Sequence, residues 1–288
     1  MKITSALFGL ALLLGSATPL LAEPAPTAAA PAASAYQAEM EAWAKSRDAW
    51  WRNPDGYLSL TALYWLDETP RSFKGVGEAH REGEDVILKF EDGVTLDGKP
   101  IKEYRVTPDM PRNKPDFHHG TSHFYVNRHG KKIGIRVKDP NSKILKDFQS
   151  MQSFPVDPSW RIIGRFEAAE ATIPVASVVD ETTSESSPGY AVFDRDGKTY
   201  KLRLMGDVKD PAYFLVFSDE TAGKTTYSAC RFLDVEKAAD GTLILDFNKS
   251  ENPPCSVTPF ATCPLPPQGN VLPFEVPVGE KVPPTAAH

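Results

Sequence analysis

The chain has 288 residues, with 32 Lys and Arg set against 38 Asp and Glu, a formal charge of −6. That mildly acidic balance favours solubility and argues against nucleic acid or anionic lipid as the main partner. Roughly 250 residues remain once the two ends are set aside, enough for one large core or two smaller ones.

The chain opens on MKITSALFGLALLLGSATPLLA, with Lys2 as a positive start and an apolar run from Ala6 to Leu14. The run is too short to span a bilayer and reaches small residues by Ala22, so residues 1–22 read as a cleaved secretory signal. Leu20 is unfavourable three positions before that cut, which keeps cleavage after Ala17 as an alternative. No cysteine lies near the cut, which argues against a lipoprotein. Removing one lysine takes the formal charge from −6 to −7. No other run approaches membrane length, so the expectation is an exported chain, periplasmic or secreted, with no transmembrane segment. Residues 23–35, almost all Ala and Pro, read as a flexible tether, and residues 282–288 as a fraying tail.

Residues 36–150 are expected to hold a helix and a first β unit. Tyr36, Met40, Trp43 and Trp50 recur at helical spacing with charges between them, Ser34 can cap the start, and Asn53-Pro54-Asp55-Gly56 stops the run. The Trp50–Trp51 pair could stack on a ligand, but docking of the helix through its aromatics is the plainer reading. From Gly75 the pattern becomes period two, as in EDVILKFEDG and SHFYVNRHGKKIGIRVKD, and Asn127-Arg128-His129-Gly130 is expected to be a hairpin turn. Residues 145–162 form an aperiodic seam. Residues 151–281 then carry a second β unit, with turns at Asp196-Gly197, Ala222-Gly223 and Asp240-Gly241, and end in a Pro-rich strap. Strands do not alternate with long helical segments, so the expected fold is mainly β: an N-terminal helix on two antiparallel units, sandwich or barrel.

Three groups of residues could carry chemistry. Cys255 and Cys263, with seven residues between them in the strap, fit neither a redox pair nor a zinc knuckle; an oxidising compartment would favour a disulfide between them. Cys230 reads as buried filler. His118, His119 and His123 form a weak metal candidate, and no metal or cofactor is otherwise implied. The densest polar set comprises Asp219, Thr221, Tyr227, Arg231, Asp246 and Asn248. Tyr227 with Arg231, and Asp246 with Asn248, would each share one face of a strand. Such a cluster could grip an anion through the arginine fork, use an aspartate as base, or pin the strap as a buried network.

The blocks YLSLTALYWLDE, FPVDPSWR, SDETAGKTTYSACRFLDV, LDFNKSENPPCSVTPFATCPLPPQGN and VGEK resemble, in that order, a bacterial and archaeal family, domain of unknown function 1684. The resemblance runs from Tyr36 to Lys281. The family carries no established activity, so it implies identity without chemistry. Its recurrent polar residues fall here on Asp157, Arg161, Asp219, Thr221, Gly223, Tyr227, Arg231, Asp246, Asn248, Asn252, Cys255 and Cys263. The sequence departs from it at Cys230, where the family has glycine, and at Ser250-Glu251, where it has Ala-Tyr. The histidine cluster has no counterpart there. The family's first half often reads like a forkhead-associated sandwich, and residues 71–88 keep little of that.

The functional expectation is an exported protein binding a small polar or anionic ligand through Arg231, Tyr227, Asn248, Asn252 and Arg161. The alternatives are a hydrolase with Asp219 or Asp246 as base, assisted by Tyr227 and Arg231, and an envelope interaction module using the tryptophan-rich helix.

Overall fold

The structure, a computed structural model, describes residues 33–111 and 114–283. The expected signal, most of the tether and the last five residues lie outside that range. Helix α1 (Ala33–Trp51) begins before Ser34, so Ser34 is an internal residue and not the cap, and residues 33–35 are helix and not tether. Its buried face is Tyr36, Met40, Arg47 and Trp51. Each helical step turns 100°, which places Trp51 inside at 1% exposure and leaves Trp50 outside at 42%. Trp50, expected among the docking residues, is therefore a rim residue, and Trp51 is the anchor.

The first half continues through β1 (Leu60–Trp65), β2 (Arg71–Phe73), β3 (Gly77–Glu82), β4 (Asp85–Phe90), β5 (Thr95–Leu96) and β6 (Lys99–Pro100). It is completed by β7 (Glu103–Val106), β8 (Phe117–His119), β9 (Ser122–His129) and β10 (Lys132–Lys138). These strands make one sheet in the order β1-β10-β9-β8-β5-β6 and another in the order β2-β3-β4-β7, with every pairing antiparallel. The two sheets share a core in which Val86, Leu88 and Phe90 meet Phe117, Phe124 and Ile135. The expected hairpin is present, but its turn is Gly130-Lys131, since His129 already pairs with Lys132. The left-handed φ of 57° falls on Gly130, the residue that tolerates it without a steric cost.

A short helix α2 (Lys143–Asp147), capped by Ser142, interrupts the seam. The second half comprises β11 (Arg161–Ala176), β12 (Thr182–Arg195), β13 (Lys198–Arg203), β14 (Ala212–Phe217), β15 (Arg231–Lys237) and β16 (Thr242–Asp246). Their order is β13-β12-β11-β16-β15-β14. Asp196 and Gly197, with φ of 50° and 73°, form the tight turn between β12 and β13. The sheet curls until Met205 and Phe214 exchange hydrogen bonds of 2.8 and 3.0 Å, but no ladder joins β13 to β14, so the expected barrel does not close. One face of this sheet packs Phe193, Leu215, Leu233 and Phe247 into a core. The other carries Val216 and Phe232 beneath the strap residues Ala261 and Cys263.

Candidate functional site

The polar residues singled out in the second half do not form one cluster. Tyr227 precedes β15, because Thr221 and Thr226 close a turn through a 2.7 Å hydroxyl contact, so Tyr227 and Arg231 share no strand face. Arg231 is 1% exposed. Its Nη2 donates to Asp219 Oδ2 at 2.7 Å and to the Val276 carbonyl at 2.9 Å, and its Nη1 donates to the Val278 carbonyl. Asp219 Oδ1 accepts from Thr221 Oγ1 at 2.6 Å and from the Val276 amide at 3.1 Å. Burial pushes the Arg231 pKa down and the Asp219 charge opposes it. This fork is spent on the backbone of residues 276–278, which gives a chain segment with few partners of its own something to bond to.

Asp246 and Asn248 belong to a second, separate network. β16 ends at Asp246, and Asn248 sits in the turn that Asp246 caps, so they meet across a turn and not along a strand. Tyr36 donates to Asp246 Oδ1 at 2.8 Å, Asn248 Nδ2 donates to Tyr36 Oη at 3.0 Å, and Arg161 lies 3.3 Å from Asp246 Oδ2. Asn248 also holds the Asp157 amide at 2.9 Å. Burial, then the neighbouring Asp246, raises the Tyr36 pKa. The network hooks the start of α1 to the end of β16. Asn252 donates to the Lys281 carbonyl at 2.7 Å, and its amide donates to Glu280 Oε2 at 2.6 Å. Arg47 pairs with Glu280 at 3.0 Å and with Glu251 at 2.9 Å. Burial, with Glu280 and Asp234 nearby and Arg47 opposing, pushes Glu251 up to about 7. None of Arg161, Asp219, Tyr227, Arg231, Asp246, Asn248 or Asn252 lines either of two cavities, of about 780 and 450 Å³, among the described residues.

Cys255, Cys263 and Cys230 are all free thiols, so the structure lacks the expected staple. The Cys255 amide donates to Cys263 Sγ at 3.3 Å, and Tyr227 Oη donates to the Cys255 carbonyl at 3.3 Å. The thiol of Cys263 lowers the Cys255 pKa, while hydrogen bonding to Cys255 and burial raise that of Cys263. The strap is held instead by its own burial and by pairing with the end of β11, where Leu265 donates to the Ala176 carbonyl at 2.8 Å and Val178 to the Cys263 carbonyl at 3.0 Å. Phe260 of the strap is only half-buried and joins no core cluster.

Among the described residues no group of His, Cys, Asp and Glu has metal-holding geometry. His123 nevertheless has two carboxylate neighbours that its sequence spacing did not reveal, with Nδ1 at 2.8 Å from Asp116 and Nε2 at 3.0 Å from Asp55. Carboxylates only accept, so engaging both ring nitrogens requires an imidazolium. The Asp116 contact accordingly raises the His123 pKa against burial. Asp55 also receives Lys138 Nζ at 2.9 Å; burial pushes its carboxyl up, but Lys138 and His123 outweigh that and lower it. His118 stacks on His123 at 5.5 Å and lies 3.6 Å from Asp116, and His119 pairs with Glu91 at 3.1 Å.

The strongest candidate site comes from a feature of β9 and β10 that their sequence disguises. Phe124, Val126, Ile133, Ile135 and Val137 face the first core, so Tyr125, Asn127, Gly134 and Arg136 take the opposite face. On an ordinary two-layer unit that polar face would be solvated, yet all four residues are buried. The second half covers it. Between them lies a cavity of about 780 Å³, lined on one side by Arg128, His129 and Arg136 and on the other by Glu185, Phe214 and Cys263. A second cavity of about 450 Å³, walled by Trp50, Tyr125 and Lys138, shares Tyr57 and Arg136 with the first.

Arg136 is 7% exposed. Its Nη2 reaches Thr262 Oγ1 at 3.3 Å, its Nε has no partner, and no described carboxylate lies within 4 Å. Arg128 approaches Glu84 at 3.8 Å without a hydrogen bond from either terminal nitrogen. A buried guanidinium with so little compensation is costly, and an anion placed in the cavity would satisfy it bidentately. The sequence signal that could have raised this site is that Tyr125, Asn127 and Arg136 occupy the polar positions of adjacent strands.

Residues 146–281 match the model of a family described as "Protein of unknown function (DUF1684)". The resemblance read from Tyr36 onward is thus matched over the second half, and the first β unit lies outside the matched residues. Among solved structures, the chain is similar to an uncharacterized protein of Haloarcula marismortui determined by solution NMR, at 27% identity. That similarity covers 47% of this chain and 78% of the other, with a TM-score of 0.39. No curated protein matches.

Proposed function

We propose that this chain, whose residues 146–281 match the model of a family of unknown function, is an exported protein that binds a small anionic ligand in the cleft between its two β units. One observation carries the binding: Arg136, more than nine-tenths buried, lines both cavities with a single 3.3 Å hydroxyl contact and no described carboxylate partner. A cavity of about 780 Å³ falls within the usual range of roughly 300–1,000 Å³ for small-molecule sites. A buried guanidinium this short of partners favours a bound group that can pair with it. This moves the anion site from Arg231, whose fork is already occupied, to Arg136. The hydrolase reading loses its support for the same reason, since Asp219 and Asp246 are each committed to a buried network.

Calorimetric titration with 4-methylpentanoate, a small carboxylate with an apolar body, tests the binding. Arg136→Met should abolish the heat of binding, and Arg136→Lys should weaken it, because lysine supplies charge without the planar fork. Unchanged affinity in Arg136→Met would reject the site. Export rests on the Lys2 and Ala6–Leu14 pattern, and N-terminal sequencing of the protein from fractionated cells tests it: an intact Met1 in the cytoplasm would reject it.

A further inference from the structure

The larger cavity is not uniformly cationic. Lys114, Arg128, His129 and Arg136 enter it from the first half, and Glu185 of β12 is the sole acid among its described lining residues. Glu185 accepts a hydrogen bond from Thr183 Oγ1 at 2.7 Å and pairs with no described cation within 4 Å, although four basic residues line the same space. Arg136 pairs with no described carboxylate either. Opposite charges that share a partly dry cavity gain by meeting unless the fold holds them apart, and here they stand on different β units. Side chains of an intermediate kind fill the wall: Met205, Phe214 and Phe232 are apolar, and Thr262 offers a hydroxyl.

From this arrangement we infer that the ligand is zwitterionic, a short peptide with free termini. Its carboxylate sits on Arg136 and its ammonium on Glu185, and its apolar side chains lie against Phe214 and Phe232. A bridging zwitterion satisfies both isolated charges at once, which a simple anion cannot do. Glu185 is then the residue that decides specificity: an anion without an amine leaves it unpaired, and binding that strands a half-buried charge is penalised. The inference rests on the anion site at Arg136 and adds the opposite pole to it. Covalent chemistry is not involved, so the assignment is one of recognition alone.

The test is a titration of the full exported chain with three probes that differ at one group each: leucylleucine, N-acetyl-leucylleucine and leucylleucine amide. Free leucylleucine should bind best, acetylation of its amine should cost about tenfold, and amidation of its carboxylate should remove binding, each step being one charge-assisted pair. In Glu185→Gln the free and acetylated peptides should bind alike, and the acetylated peptide should bind more tightly than it does to the wild type, since no carboxylate is left stranded. Glu185 is partly exposed, so this variant is expected to fold. If acetyl-leucylleucine equals or exceeds the free peptide on the wild type, the zwitterion inference is overturned while the anion site stands. If neither that probe nor 4-methylpentanoate binds, the anion site itself fails.

Discussion

Two arginines lie on neighbouring parts of this fold in opposite circumstances. Arg231 is 1% exposed and Arg136 is 7% exposed, so burial does not distinguish them. Their partners do. Nε is unpaired in both, but the terminal nitrogens of Arg231 donate to a carboxylate and two carbonyls and tie residues 276–278 to the sheet of the second half, whereas Arg136 has one 3.3 Å contact to a hydroxyl and faces open volume. A buried guanidinium whose terminal nitrogens are met by a carboxylate and carbonyls is a structural device, and one left with a lone hydroxyl contact inside a cavity is a binding device. In the sequence the first looked more functional, because Asp219, Thr221, Tyr227 and Arg231 are close along the chain while the surroundings of Arg136 are not.

That contrast predicts different responses to mutation. The largest effect is expected at Arg231: Arg231→Ala leaves Asp219 buried and uncompensated and should cost about 3–5 kcal/mol. Arg231→Lys should cost less, and denaturant melts of the two variants would show it. Equal, small losses would mean that the network does not hold the C-terminal segment. Next is Tyr36→Phe, which removes the phenol that ties α1 to Asp246 and Asn248, 210 and 212 residues away in sequence. A loss of about 1–2 kcal/mol is expected, read as a lower urea midpoint, and an unchanged midpoint would show that α1 docks through Met40, Arg47 and Trp51 without help from Tyr36.

A smaller effect is expected from pH. Glu251 has an ordinary value of 4.5 and is pushed up to about 7, so the folded state resists its ionisation and stability declines as pH rises between those values. His123 is raised above 6.5, first by Asp116, so its contribution is complete below 6.5 and is lost as pH rises through the folded value. Asp55 works in the opposite sense, with stability present above 3.8 and lost as pH falls through its depressed folded value. The melting temperature should therefore fall from about pH 5 to about pH 8. Glu251→Gln should flatten the lower part of that slope and His123→Gln the upper part. A melting temperature that rises across this interval would contradict both assignments.

The parts of the fold set by local pattern were readable in advance. The helix, the β9–β10 hairpin and the Asp196-Gly197 turn follow from periodicity and turn chemistry within a few residues, and each is present. Errors arose where one residue changes the face: Trp50 and Trp51 differ by 100° around a helix, and Tyr227 stops short of the strand because Thr221 and Thr226 hold a turn. The disulfide expectation drew on compartment and spacing, whereas the strap is held by backbone pairing with β11. The candidate site was unreadable for a different reason. Arg136 sits at a polar position of an alternating strand, a pattern that normally denotes a solvated face, and its burial comes from residues such as Thr262, 126 positions away. No local pattern encodes a cover that distant.

The most direct test is a side-by-side thermal melt of Arg136→Met and Arg231→Met in the absence of ligand. Replacing an uncompensated buried charge by an apolar chain of similar length is neutral or stabilising, whereas breaking a satisfied pair is not. The predicted result is that Arg136→Met melts at or above the wild-type temperature while Arg231→Met melts well below it. Arg136→Met melting as far below the wild type as Arg231→Met would contradict the assignment, since Arg136 would then be holding the fold and not waiting for a ligand.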